Sequence, residues 1–390
     1  MLAATVRVTR DIDLAEECVQ DAYARALTAW DRGGVPARPG AWLTTAARNR
    51  ALDVMRRDAL FRRAMPELVV DEVATEFAVR AEIPDDRLRL ICTCCHPALA
   101  LETQVALTLR LLCGLSTAEV ARAFLISEPT MAARITRAKK KIANAHIPYR
   151  VPTTDELPAR MDAVLAVVHL VFTTGHAAPA GADVMRRDLV ERALDLARML
   201  RALLPDDSDV AGLLALILLA DARRGARTDS VGDLVLLADQ DRSQWDRAEI
   251  AEGIALAREA LRTRPPSRYA LQAAIAAVHD EAASWQDTDW REVVALYGVL
   301  LQHWPSPVVA LNRAVAMGLA DGPARALAEL DALAGEPQLA AYSYLPAARA
   351  DFLRRLGRVD EARTAYEEAL LLTENEPERR FLHRRLTELS

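Results

Sequence analysis

Two helix starts stand so close together between Gly114 and Ile142 that only a turn fits between the helices they open. Ser116-x-x-Glu119 is a capping box, in which a hydroxyl and a carboxylate each accept a backbone N–H at the helix start. Val120, Ala121 and Phe124 give that helix a buried side. Leu125-Ile126-Ser127 is a tight turn; Ser127 can cap the next helix, and Pro129 is tolerated in its first turn, where the missing N–H has no intrahelical partner. In the second helix Met131, Ile135, Ala138 and Ile142 recur at helical spacing and form the packed face. Ser127, Thr130, Arg134, Arg137 and Lys141 form a further, polar and cationic face. This is the layout of a helix-turn-helix. Residues early in its second helix meet base edges in a major groove, and the cationic turns that follow hold phosphates. Thr130 and Arg134 are the candidate base readers. Arg137, Lys139, Lys140 and Lys141 are the candidate phosphate contacts. Those lysines are the only ones in the chain, and three in a row cannot share one groove, so part of the run acts by simple attraction. The bland alternative is a helical hairpin with a solvated basic face, favoured by the helix dipole.

The rest of the chain agrees with a helical protein. Aromatic residues are only 5% while hydrophobic residues reach 52%, and Ala, Leu and Arg dominate, which predicts an all-α fold. At 390 residues two or three domains are expected. Charge is unevenly divided: residues 1–150 carry 22 Lys/Arg against 18 Asp/Glu (+4), and residues 151–390 carry 27 against 37 (−10). Different jobs for the two halves are expected. No unbroken apolar run reaches the ~18–20 residues that span a bilayer; Leu213 to Ala220 is apolar but short and reads as a buried helix. Arg7, Arg10 and Asp11 interrupt any secretory signal, and the five cysteines are an odd number, so a reduced, cytoplasmic protein is expected.

Along the chain, Asp13-x-x-Glu16 fits a capping box for a helix to about Trp30, which Gly33-Gly34-Val35-Pro36 breaks. Pro39 opens another helix to about Arg57. Residues 64–86 form an acidic linker, and a helical block runs from about Arg87 to Ala145. The stretch from His146 to Pro152 is a further boundary, after which almost everything reads as amphipathic helix. "LNRAVAMGLADGPARALAELDAL" (311–333) resembles "LPAARADFLRRLGRVDEARTAYEEAL" (345–370), each a helix, a Gly-marked turn and a helix. Residues 345–370 resemble a tetratricopeptide unit; a generic array of helical hairpins is the alternative.

Other clusters carry residue types capable of chemistry. "CTCCHP" (92–97) offers soft ligands, but zinc sites favour C-x₂₋₄-C pairs with a second ligand pair elsewhere, and adjacent cysteines do not easily turn both sulfurs to one ion. Metal binding or redox sensing at this cluster is the disfavoured reading, and no metal is expected. In "DQDRSQWD" (239–246), Asp239, Asp241, Arg242, Trp245 and Asp246 could form a ligand or partner site, or a buried polar network that fixes a helix start; the structural reading is preferred. His169, His176 and His279 stand isolated. No Ser/His/Asp, Walker or paired-carboxylate arrangement stands out, so neither an enzyme nor a cofactor is indicated.

Three stretches, "DLAEECVQDAYARALTAW" (13–30), "PGAWLTTAARNRALDVMRR" (39–57) and "LRLLCGLSTAEVARAFLISEPTMAARITRAKKKI" (109–142), together resemble bacterial RNA polymerase sigma factors of the extracytoplasmic-function type. In that family they would be the core-binding helix, the −10 element helix and the −35 element domain. The resemblance implies region 2 over 1–63, a linker over 64–86, region 4 over 87–147 and a helical C-terminal domain over 148–390. "HLVFTTGHAAPAG", "ADQDRSQWDRAEIAEGIALAREAL", "YALQAAIAAVHDEA", "DTDW" and "SPVVALNRAVA" are similar to the long tetratricopeptide-like extension of one subgroup. Core RNA polymerase and promoter DNA are the implied partners, with a protein or small-molecule regulator at the C-terminal domain and no membrane. Asp13, Glu17, Gln20, Asp21 and Arg25 would face the polymerase, where charge gives orientation and on-rate; a solvated acidic face is the alternative. Trp42, Thr45, Asn49, Asp53 and Arg56 share a stripe. Asn49 would take a base edge and Arg48, Arg56 and Arg57 the backbone of melted DNA, with Trp42 either a stacking platform or, the preferred reading, core. The acidic linker would lie in the polymerase's RNA path as a mimic of nascent RNA, or serve as a solvated tether. The family's first helix ordinarily begins further upstream, which implies an earlier start than Met1 or missing first turns. A helix-turn-helix regulator that senses a ligand through its repeat domain is the alternative function.

Overall fold

The computed structural model describes residues 1–64 and 86–389 except 125, 146, 154 and 179, and of residues 58–64 the helical backbone alone. All of the expected acidic linker (64–86) but its two end residues, and Leu125 of the expected turn, therefore lie outside the described residues. Those described form eighteen α-helices and one pair of two-residue strands, so the chain is all-α as its composition predicts. It divides into two compact units, Met1–Val167 and Val168–Ser390.

The first unit opens with α1 (Leu2–Thr9), α2 (Ile12–Gly33) and α3 (Pro39–Ala64). The start of α2 departs from the expected Asp13 box. Arg10 takes the left-handed conformation (φ 55) and its N–H closes α1 on the Val6 carbonyl. Asp11 is then left as the cap of α2, its Oδ1 accepting from Leu14 N at 3.0 Å. Asp13 falls in the first turn, where a carboxylate suits the positive end of the helix dipole. Ala22 and Ala26 of α2 pack on Leu43 and Ala47 of α3, and Trp30 meets Trp42 edge-on at 5.6 Å.

Four helices follow: α4 (Asp86–Cys94), α5 (Leu101–Leu111), α6 (Thr117–Ala123) and α7 (Glu128–Asn144). The residues of α7 that are buried are Met131, Ile135, Ala138 and Ile142, the face its spacing predicts. Tyr149 fastens the ends of this unit: its buried hydroxyl is shared between the carbonyls of Ala3 (2.7 Å) and Asp86 (2.9 Å). Then comes α8 (Leu157–His176), the one described helix long and apolar enough by length and composition to cross a membrane. Arg160 and Asp162 interrupt its apolar run. Arg160 donates to the Cys92 carbonyl at 2.6 Å, and Met161, Val164, Leu165 and Val168 are buried, which is how a core helix behaves.

The second unit is built of α9 (Arg187–Leu203), α10 (Ser208–Asp221), α11 (Arg247–Ala260), α12 (Arg268–Glu281), α13 (Trp290–His303), α14 (Pro307–Asp321), α15 (Pro323–Ala332), α16 (Tyr344–Arg355), α17 (Val359–Leu372) and α18 (Glu376–Glu388). The Leu213–Ala220 run is the buried centre of α10. The two similar stretches are helix pairs, α14–α15 and α16–α17. Each turns at a glycine with positive φ, Gly322 (φ 106) and Gly357 (φ 73), a conformation closed to most side chains. Strands β1 (Ala180–Gly181) and β2 (Glu374–Asn375) pair in parallel and join the start of this unit to its end. Asn375 secures the junction, donating to the carbonyls of Ala178 (3.1 Å) and Asp183 (2.8 Å) while its Oδ1 caps α18.

Candidate nucleic-acid interface

The helix-turn-helix is held by the box its sequence encodes. Glu119 N donates to Ser116 Oγ at 3.2 Å and Ser116 N to Glu119 Oε2 at 2.6 Å. Ser127 stands at the N-cap of α7, but its hydroxyl pairs with Thr130 Oγ1 at 2.8 Å instead of a backbone N–H. Both hydroxyls are exposed, so the start of α7 presents a small polar patch. One turn on, Arg134 is fixed from two sides. Nη1 meets Glu102 Oε2 at 2.9 Å, and its guanidinium lies 5.6 Å from the Phe124 ring centre, within cation–π range. Arg137 and Lys140 are exposed. Lys141 donates to the Ala98 carbonyl.

Lys139 does not share their face. Its side chain is 13% exposed, with Nζ 2.8 Å from Asp13 Oδ1 and in contact with the Glu16 carboxylate. Glu16 also takes Arg110 Nη2 at 3.0 Å. Burial pulls the Lys139 ammonium down, but the hydrogen bonds to Asp13 and Glu16 outweigh it and the net shift is upward. Of the expected phosphate contacts, Lys139 is thus the one held in ion pairs with carboxylates, while Lys141 meets a backbone carbonyl. The reason is angular: at about 100° per residue Lys139 falls beside the packed stripe of α7, on the side away from the cationic stripe. Sequence reasoning misses Arg110, Glu102 and Tyr149, and it gives Glu16 the role of a capping-box carboxylate, whereas Glu16 takes Lys139 and Arg110.

On α2, Asp13, Glu17, Gln20 and Arg25 are exposed. Asp21 is half-buried and takes Arg50 Nε at 2.6 Å. On α3, Arg48, Asn49, Arg56 and Arg57 are exposed, and Arg57 Nε donates to the Asp53 carbonyl at 3.3 Å. Trp42 packs against Trp30 beside the α2–α3 core, the core alternative for this residue.

The remaining clusters have structural partners. Cys92, Cys94, Cys95 and Cys113 are buried. Burial pushes the thiols up, Cys92 to about 11 and Cys95 to about 12, which disfavours the thiolate that a metal or an oxidant needs. Among the described residues no group of three or more His, Cys, Asp or Glu converges on one point. In the 239–246 stretch, Asp241 accepts from Ser243 N at 2.9 Å and Asp246 caps α11 through Ala248 N and Glu249 N. Arg242 donates to the His279 and Ala282 carbonyls (2.6 and 2.7 Å) and covers the buried Trp245 ring at 4.5 Å. Asp239 is exposed. These are the bonds of a polar network that holds a helix start.

Comparison with known proteins matches this layout. The family model described as Sigma-70 region 2 matches residues 2–60, and that described as Sigma-70, region 4 matches residues 90–142. Residues 160–261 match a Family of unknown function (DUF6596). An uncharacterized protein of Rhizobium meliloti (strain 1021) is 42% identical over 395 residues, covering 100% of this chain and 93% of that protein. The chain belongs to the sigma-70 family. Its region 2 is α1 to α3 and its region 4 is α4 to α7. It is a sigma factor, a transcription factor that binds core RNA polymerase and promoter DNA. Region 4 therefore presents Ser127, Thr130, Arg134, Arg137 and Lys140 along one helix, while Lys139 is held by the α2 carboxylates of region 2.

Proposed function

We propose that this sigma factor is of the extracytoplasmic-function type and acts in the cytoplasm. Its α2 docks on core polymerase through Asp13, Glu17, Gln20, Asp21 and Arg25. Its α3 holds the opened −10 strand through Arg48, Asn49, Arg56 and Arg57. Its α7 reads the −35 duplex with Thr130 and Arg134, supported by Ser127 and by phosphate contacts from Arg137, Lys139, Lys140 and Lys141. The observation that carries this is the pairing of two exposed helix faces in one chain. One bears Arg beside Asn, suited to unstacked bases; the other bears Thr and Arg on a helix-turn-helix, suited to duplex edges.

The Lys139 ammonium is committed to Asp13 and Glu16, two carboxylates on the polymerase-facing helix. Engaging polymerase with that face and phosphate with Lys139 requires the same ion pairs to part. Core binding and −35 binding are therefore coupled: each removes one partner of the pair and lowers the cost of the other. The tetratricopeptide-like C-terminal domain modulates this activity.

Run-off transcription with bacterial core polymerase and the full chain tests the reading, with Arg134→Ala and Asn49→Ala beside it. Transcripts that depend on the chain and fall with both substitutions are the expected result. Normal core association with transcripts insensitive to both would reject the assigned faces. Promoter footprints formed without polymerase would favour the ligand-sensing regulator instead.

A further inference from the structure

The C-terminal unit contains a cavity of about 570 Å³, between the segment 223–240 and helices α14, α16, α17 and α18. That is the size of pockets that take small organic molecules, ~300–1,000 Å³. Its walls are largely apolar, with Leu234 and Leu236 on one side, Leu311 and Val315 of α14 on another, and Phe381 of α18. Into this lining come two arginines, Arg223 and Arg227.

The charges around the cavity do not balance locally. Asp351 is taken by Arg354 and Arg355 at 2.8 and 2.7 Å. Glu378 accepts the Tyr344 hydroxyl at 2.6 Å. Arg223 lies 3.6 Å from Asp280. Arg227 is different. It donates to the His176 carbonyl and approaches Met185 Sδ at 3.7 Å, and no carboxylate among the described residues forms an ion pair with it. Burial, with the like charge of Arg223, pulls its guanidinium down to about 10. A largely desolvated guanidinium whose direct hydrogen-bond partners are neutral is costly; the Glu378 and Asp221 carboxylates favour its charge only from a distance and do not offset the burial. An anion in the cavity would supply that charge, and an apolar body would cover the leucine, valine and phenylalanine walls.

We propose that this cavity binds a small organic anion with an apolar body, its acidic group on Arg227 and its body against Leu234, Leu236, Val315 and Phe381. The site would give the chain a chemical input in its C-terminal unit. It rests on no step of the transcription reading, since binding by the full chain can be measured without polymerase.

The test uses two fluorescent probes that share an apolar ring system. 8-Anilinonaphthalene-1-sulfonate carries an anion, and N-phenyl-1-naphthylamine carries none. Wild type should bind the sulfonate at one saturable site, about 10-fold or more tighter than the uncharged probe, the scale of one charge-assisted contact. Arg227→Gln should remove that difference by weakening the sulfonate alone, while Arg227→Lys keeps most of it. Ala348→Phe, which fills the cavity from α16, should abolish both probes. Equal wild-type affinities for the two probes would overturn the proposal even if Arg227→Gln failed to fold. So would no saturable site, sulfonate binding unchanged in a folded Arg227→Gln chain, or binding that survives Ala348→Phe.

Discussion

Lys139 Nζ lies 2.8 Å from Asp13 Oδ1, an ion pair that ties the recognition helix of region 4 to the first turn of α2 in region 2. Its two carboxylate partners are not equivalent. Glu16 is 13% exposed and Asp13 is 68% exposed, so water screens one pair and not the other. Lys139→Ala should cost about 1–3 kcal/mol, chiefly by leaving Glu16 half-satisfied. Double-mutant cycles in urea unfolding should give a coupling of about 1–2 kcal/mol with Glu16→Ala and under about 1 kcal/mol with Asp13→Ala. The raised Lys139 value fixes the pH dependence: the stabilisation is complete below the unfolded value, ~10.4, and is lost as pH rises through the higher folded one. Equal coupling to both carboxylates would contradict the burial argument.

Arg134, the base reader we propose, has a competitor. Glu102 Oε2 sits 2.9 Å from its guanidinium, yet Glu102 is 72% exposed, so the pair is cheap to break. Glu102→Gln should raise affinity of the polymerase–sigma complex for −35 duplex by about 2–5-fold at low salt, because Arg134 no longer gives up a partner. Arg134→Ala should lose about 1–3 kcal/mol and relax preference at the base it contacts. Competition binding on wild-type and single-base-changed promoters measures both. Equal discrimination by Arg134→Ala would remove it from base reading.

The local parts of this fold are legible in the sequence and the distant ones are not. The Ser116–Glu119 box and the 4-3-4 spacing from Met131 to Ile142 involve residues within a turn or two of each other, and the structure reproduces them. The start of α2 is less legible, because Asp11 and Asp13 are both good caps. The choice falls to Arg10, whose φ of 55 ends α1 and leaves Asp11 at the cap. Nothing local could place Lys139 inside, since Asp13 and Glu16 lie 126 and 123 residues away along the chain. The same holds for the cavity: Arg227 and the α14–α18 walls meet only through tertiary packing. Trp42 is an intermediate case, a lone aromatic in a helix whose neighbour Trp30 lies beyond the Gly33-Gly34 break.

Three desolvated groups in the C-terminal unit, beside His176, whose imidazole burial also holds down, contribute to its response to acid. Burial, aided by Arg268 for His169 and by Arg223 and Arg242 for His279, holds both imidazoles down at about 4. Burial pushes the Asp280 carboxyl up to about 6, against the pull of Arg223. The histidines have depressed folded values, so the stability they contribute is present above ~6.5 and is lost as pH falls toward 4. Asp280 has a raised folded value, so its contribution runs the other way, present below ~3.9 and lost as pH rises through 6. Near pH 5 the unfolded chain binds two protons at these groups and the folded chain one. Asp280→Asn removes the opposing proton, so stability should fall with decreasing pH more steeply, by about 1.4 kcal/mol per pH unit. Urea unfolding of both chains between pH 4.5 and 6 checks this; parallel slopes would mean that Asp280 is ionised in the folded protein.

The close approach of α14 to its neighbours depends on Gly318. A Cβ there would lie 2.6 Å from Phe352 Cε1 and Cζ and would also overlap Ala326 Cβ. Neither can yield easily: Ala326 and Phe352 are both buried in the core shared by α14 to α17. Gly318→Ala gains up to about 1 kcal/mol of helix propensity but overpacks this contact, which costs about 1–3 kcal/mol and more if α15 must shift. Net destabilisation is expected. Gly298 in α13 is the matched control, because a Cβ there meets nothing within 4 Å. Gly298→Ala should stabilise by about 0.5–1 kcal/mol through propensity and the narrowed unfolded ensemble. Thermal melts of the two single variants should therefore move in opposite directions. A rise in both would mean that α14 and α16 can separate at no cost, and the packing argument for Gly318 would fall.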